Sequence, residues 1–66
     1  MSEWISVKDK LPENIDGESK NILFYDFMKE ESFKGFYDFF YHRFCDMDHE
    51  EYKFVTHWMP LPEPPK

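Results

Sequence analysis

Apolar and polar positions alternate along much of this chain with a period of two, and that pattern predicts strands. Asn21 to Phe27 is the clearest strand. Ile22, Phe24 and Asp26 fall on one side of an extended backbone, and Leu23, Tyr25 and Phe27 fall on the other. Apolar residues on both sides predict a strand in the interior of a sheet. Glu3 to Val7 reads as a short first strand, with β-favouring Trp4, Ile5 and Val7 around the polar Ser6, and Leu11-Pro12-Glu13 ends it. Asn14 to Lys20 contains Asp16-Gly17-Glu18-Ser19 and reads as a mobile polar loop in which Gly17 takes positive φ without steric cost. Lys29-Glu30-Glu31-Ser32 is a charged turn, and Asp46 to Glu51 an acidic connection. Tyr52 to Met59 is the last strand, and it runs into Pro60, Pro62, Pro64 and Pro65. Proline has no N–H and a fixed φ, so these residues are expected outside a central strand, in an extended polyproline tail with Trp58, Met59 and Leu61 as packing handles.

Phe33 to Phe44 admits two readings. Phe33, Phe36, Tyr37, Phe40, Tyr41 and Phe44 recur at steps of three and one, the stripe of an amphipathic helix. Against a helix stand Gly35, a density of aromatic residues with poor helix propensity, and the lack of a C-terminal glycine cap.

Trp4-Ile5-Ser6-Val7 with Lys10-Leu11-Pro12-Glu13 at the start, and Thr56-His57-Trp58-Met59-Pro60-Leu61-Pro62-Glu63-Pro64-Pro65 at the end, resemble a family of short phage and prophage domains of unknown function. Asn21-Ile22-Leu23-Phe24-Tyr25-Asp26 and Lys34-Gly35-Phe36-Tyr37 fit the hydrophobic and Gly-aromatic strands of that family more loosely. The resemblance implies a small, mostly β domain in a bacterial or phage cytoplasmic setting, and it favours two strands with a tight reversal near Asp38 over a helix. It carries no activity that maps onto residues.

The expected fold is therefore all-β, or β-rich α+β: one small antiparallel sheet of about four to five strands, with Trp4 near Trp58 and a proline-rich C-terminal tail, in a single domain over residues 1–66. A chain of 66 residues builds a core worth only about 3–5 kcal/mol of net stability unless something reinforces it. Eight Phe, four Tyr and two Trp supply dense aromatic packing. Cys45 is the only cysteine, which excludes an intrachain disulfide. No stretch reads as a signal peptide, and the apolar run Ile22-Leu23-Phe24-Tyr25 is far too short to span a bilayer. The expectation is a soluble cytoplasmic protein. Its net charge of −6 opposes phosphate backbones and anionic membranes, and leaves open basic protein partners or mimicry of nucleic acid.

The chemistry-bearing residues support no catalytic or metal assignment. His42, Cys45, His49 and His57 offer zinc-type ligands, but without the paired close spacing of a structural site. Asp46-Met47-Asp48-His49-Glu50-Glu51 lacks the glycine and the closing glutamate of a calcium loop. Ser6, Ser19 and Ser32 sit in no nucleophile context. Lys34-Gly35-Phe36-Tyr37-Asp38-Phe39-Phe40-Tyr41 begins and ends like an aromatic RNA-recognition strand, but Tyr37 and Asp38 break it, so nucleic acid is not expected as a partner. Pro62-Glu63-Pro64-Pro65 has the P-x-x-P form, and Pro60 to Pro65 is read here as a segment that closes the fold across Trp4 or Trp58.

What remains is a surplus of rings. Phe39, Phe40 and Tyr41 are consecutive, so at least one faces away from the main core whichever way the strand alternates. The expected function is a non-enzymatic binding module, without cofactor or metal, that engages a protein partner or a second copy of itself through Phe36, Tyr37, Phe39, Phe40 and Tyr41. An acidic nucleic-acid mimic and a small-ligand binder are the alternatives.

Overall fold

The computed structural model describes residues 4–61. Its strands are β1 (Ile5–Ser6), β2 (Ile22–Asp26), β3 (Glu31–Asp38), β4 (Arg43–Asp46), β5 (Glu51–Tyr52) and β6 (Val55–Pro60). They form one antiparallel sheet in the order β1-β6-β2-β3-β4-β5. The segment from Phe33 to Phe44 is thus two strands around a reversal that follows Asp38, and the helical spacing of its rings is incidental.

Period-two alternation builds the core directly. Ile5, Trp58, Phe24 and Phe33 stand opposite one another across β1, β6, β2 and β3, and Tyr37, Phe44 and Tyr52 do so across β3, β4 and β5. Both rows face the same side. Phe24 is fully buried there, with its ring centroid 5.4 Å from Phe44 and 5.3 Å from Tyr52. β2 and β5 are separated by two strands, so these contacts require the sheet to curl around Phe24.

Chain length demands the same curl. Only Lys53 and Phe54 join β5 to β6, and three residue steps span at most about 11 Å. In a flat sheet four strand spacings would separate them by about 19 Å. The single strand expected from Tyr52 to Met59 is therefore two strands, and the sheet has six rather than four to five. At the break the Phe27 N–H donates to the Phe54 carbonyl at 3.0 Å, and the two rings meet edge to face.

Two further expectations are corrected. The segment from Asn14 to Lys20 is not a free loop: it continues the pairing of β3 beyond the end of β2. The Ser19 N–H donates to the Tyr37 carbonyl at 2.9 Å, the Tyr37 N–H donates to the Ser19 hydroxyl at 2.8 Å, and the Phe39 N–H donates to the Gly17 carbonyl at 2.8 Å. Pro60 ends an interior strand instead of lying beyond it. The Val7 N–H donates to the Thr56 carbonyl, so the backbone groups of residues 56, 58 and 60 point toward the β1 side and those of 57 and 59 toward β2. Pro60 falls past the Ile5 and Trp58 pair on that β1 side, and its missing N–H costs the ladder with β2 nothing. The readings placed on Glu3 and on Pro62 to Pro65 lie outside the described residues.

Trp58 also clips the long connection to the sheet, since its indole N–H donates to the Lys10 carbonyl at 2.8 Å. Trp4 does not join it. It stands on the opposite face of the sheet with its ring against Tyr25.

Candidate functional site

Reversal of the chain between β3 and β4 creates the most exposed aromatic surface. Asp38 ends β3, and its carboxylate accepts the N–H of Phe40 at 2.9 Å and of Tyr41 at 3.4 Å. His42 closes the turn with φ of 54°, in the left-handed region that lets the chain re-enter as β4. Asp38 thus satisfies the backbone donors of Phe40 and Tyr41, and the Gly17 carbonyl that of Phe39.

Those side chains are Phe40 and Tyr41, 74% and 73% exposed. Phe40 has a seat on the neighbouring loop: a methyl group added at Gly17 would stand 2.6 Å from Phe40 Cζ, so the absent side chain makes room for the ring. Tyr41 has the Arg43 guanidinium over its face, 4.9 Å from the ring centroid. Arg43 in turn lies 3.8 Å from Asp38 and 3.7 Å from Glu51, distances that bring charges together without a hydrogen bond. Asp16 and Glu18, both exposed, flank Gly17, so the rings project from an acidic rim.

The other three rings expected at this surface lie elsewhere. Tyr37 belongs to the core, and its phenol is pushed above the usual range by burial first and by the Asp38 charge second. Phe39 turns back onto Tyr37, ring centroids 4.7 Å apart and nearly perpendicular, and is half-buried. Phe36 is buried on the opposite face, edge to face with His49. Phe36 and Tyr37 thus lie on opposite faces of β3.

A second exposed patch was not foreseen. Phe27, Met28 and Phe54 crowd the other end of the sheet, each about half exposed. Its signal in the sequence is faint, because Phe27 and Phe54 meet only through the curl.

The zinc-type residues are dispersed. His42 is in the β3–β4 turn, Cys45 is buried in β4, His49 lies in the β4–β5 turn, and His57 is on β6 with Nδ1 3.0 Å from the Thr56 hydroxyl. Burial pushes the Cys45 thiol up. Among the described residues no group of three or more His, Cys, Asp or Glu side chains is placed to hold a metal ion. The acidic run is a turn: Asp46 accepts the N–H of Asp48 at 2.9 Å and of Glu50 at 3.0 Å, and the Tyr52 hydroxyl at 2.8 Å. Among the described residues no helix is long and apolar enough to cross a membrane.

A curled six-stranded antiparallel sheet with an aromatic core and a hydrogen-bonded aromatic turn defines a small all-β protein. The chain belongs to the family described as Protein of unknown function (DUF551), matched over residues 3–66. No curated protein and no solved structure matches it.

Proposed function

We propose that this chain is a non-enzymatic binding module of phage or prophage type, acting in the cytoplasm, that docks a protein partner with Phe40 and Tyr41 as its anchors. One observation carries the reading: two adjacent large rings stand about three-quarters exposed on a turn whose backbone is already hydrogen-bonded. Burying one such ring in a partner's pocket is worth roughly 1.5–3 kcal/mol, and little conformational freedom is lost because the turn is pre-shaped. Aromatic anchors of this kind dominate protein interfaces.

The test is capture of partners from host extract by the tagged protein and by a Phe40→Ser, Tyr41→Ser variant, with sedimentation of each to detect self-association. The variant should lose the captured protein or the dimer, while its melting temperature stays within about 4 °C of the original, as for surface substitutions. Unfolding of the variant would make the rings part of the core. Undiminished capture that collapses with rising salt would instead support nucleic-acid mimicry by the carboxylates.

A further inference from the structure

The face of the sheet away from the core holds a second feature that the docking turn does not use. Ser6, His57, Tyr25 and Ser32 stand opposite one another across β1, β6, β2 and β3. Trp4, just before β1, packs edge to face with Tyr25, ring centroids 6.4 Å apart. Trp4, Tyr25, Ser32 and His57 line an open cavity of about 400 Å³, in the size range of small-ligand sites. Among the described residues, the hydroxyls that hydrogen-bond to protein groups are those of Ser6, Ser19, Tyr52 and Thr56. The hydroxyls of Tyr25 and Ser32 are therefore left for a ligand.

The charge on this face has one sign. In β1, β6, β2 and β3 the acidic and basic residues are Asp26, Glu31, Lys34 and Asp38. Asp26 and Glu31 stand opposite one another two residues on from Phe24 and Phe33, in alternation with the core face. Asp38 lies six residues beyond Ser32 along β3, about 20 Å away. Lys34 stands on the same face as Ser32, about 7 Å from it, exposed and on a flexible stem that sweeps this distance. On the other side, Lys8 lines an adjoining cavity with Ser6 and His57. An ammonium beside two free hydroxyls is a donor set for an oxyanion, and the neighbouring rings supply an apolar wall. The net charge of −6 repels anions at a distance and favours one negative charge over two, but salt screens charges beyond about 8–10 Å and leaves Lys34 to decide locally. We propose that this cavity binds a small aromatic carboxylate, with its ring against Trp4 and Tyr25 and its carboxylate at the β3 end, held by Lys34 and the Ser32 hydroxyl.

Benzoate is the probe, with benzamide as its neutral counterpart and inorganic phosphate as an anion without a ring. The two indole N–H resonances separate site from fold, since the Trp58 signal reports the hydrogen bond to Lys10 and the Trp4 signal reports the cavity. Benzoate should shift the Trp4 signal saturably with about millimolar affinity, leave the Trp58 signal in place, and bind about fivefold more tightly than benzamide at low salt. Lys34→Gln should lower benzoate to the affinity of benzamide and leave benzamide unchanged. Trp4→Leu should weaken both, followed at the Ser32 amide. Equal binding of benzoate and benzamide by the unaltered protein, benzoate binding that survives Lys34→Gln undiminished, phosphate binding as tight as benzoate, or no saturable shift of Trp4 would each overturn the proposal. If Trp4→Leu unfolds, seen as loss of the Trp58 signal, Lys34→Gln still decides, because Lys34 is exposed.

Discussion

Gly17 and Gly35 show how differently two glycines can matter. Gly35 lies in the middle of β3, where an added methyl group would run into the Cys45 carbonyl oxygen and stand 2.8 Å from Asp46 Cα and from Phe24 Cε2. Two of those obstacles are the backbone of β4, which cannot yield without breaking the pairing of Gly35 with Asp46. Gly35→Ala should cost about 2 kcal/mol or more, seen as a lower denaturation midpoint. Gly17 has φ of 99°, and the only obstacle is the exposed Phe40 ring, which can swing away. Gly17→Ala should cost about 1–2 kcal/mol from backbone strain and should also loosen the docking ring, broadening the Phe40 resonances. Cys45 offers a check at the same scale: 1% exposed and with its thiol pushed up by burial, it should react with a thiol reagent only at the rate of unfolding. That the cysteine is alone was legible in the sequence. That Gly35 is enclosed was not, because the β4 backbone that encloses it approaches only through the register.

Each hairpin turn uses one device. Asp26, Asp38 and Asp46 end β2, β3 and β4, and each carboxylate accepts a backbone N–H from the turn that follows. Glu30, His42 and His49 then return the chain through positive φ. The β2–β3 and β4–β5 turns were legible as charged stretches, and the β3–β4 reversal only through the family resemblance, but which side chain would close each ring of hydrogen bonds depends on where the strand stops. The same ambiguity governed the site. Phe39 still packs on the core because it directly follows the strand, whereas Phe40 and Tyr41 sit at the apex. The β4–β5 turn has a pH signature. The Glu50 N–H first, then the Tyr52 hydroxyl, the Asp48 N–H and the Lys29 charge, hold the Asp46 carboxyl below its usual range. Its folded value lies below its unfolded value of about 4, so its stabilisation is complete above that pH and is lost as pH falls through the lowered value. Asp46→Asn should flatten that acid limb of stability in denaturant titrations. The partner group behaves in the opposite sense. Burial first, then the hydrogen bond to Asp46, pushes the Tyr52 phenol up to about 12. Its contribution is complete below the unfolded value of about 10 and is lost as pH rises through the folded one. Tyrosinate absorbance should therefore show one tyrosine ionising about two units late.

At the scale of the molecule, a single ring holds the curl. Phe24 touches Phe33, Phe44 and Tyr52, from three different strands, and stands opposite Trp58 on a fourth. Phe24→Ala should cost about 3–5 kcal/mol, as much as the whole net stability expected at this size. The variant should show an unfolded far-ultraviolet spectrum at room temperature. The all-β class and the interior position of β2 were legible because alternation and ring content are local properties. The split between β5 and β6 was not, since it follows from the distance between strands far apart in the sheet. The loop from Asn14 to Lys20 was misread for the same reason: the Ser19 and Tyr37 bonds that fix it join residues eighteen apart.

The place of β6 between β1 and β2 bears on how the chain is made. The ribosome delivers β1 and β2 long before β6, so a nascent chain holds β2 with one edge open and β1 with nothing to pair against. The sheet closes only when the last strand slides between them, an ordering that favours slow, late folding over stepwise growth. During that interval the open flank of Ile22–Asp26 is the segment most exposed to pairing with a neighbouring nascent chain.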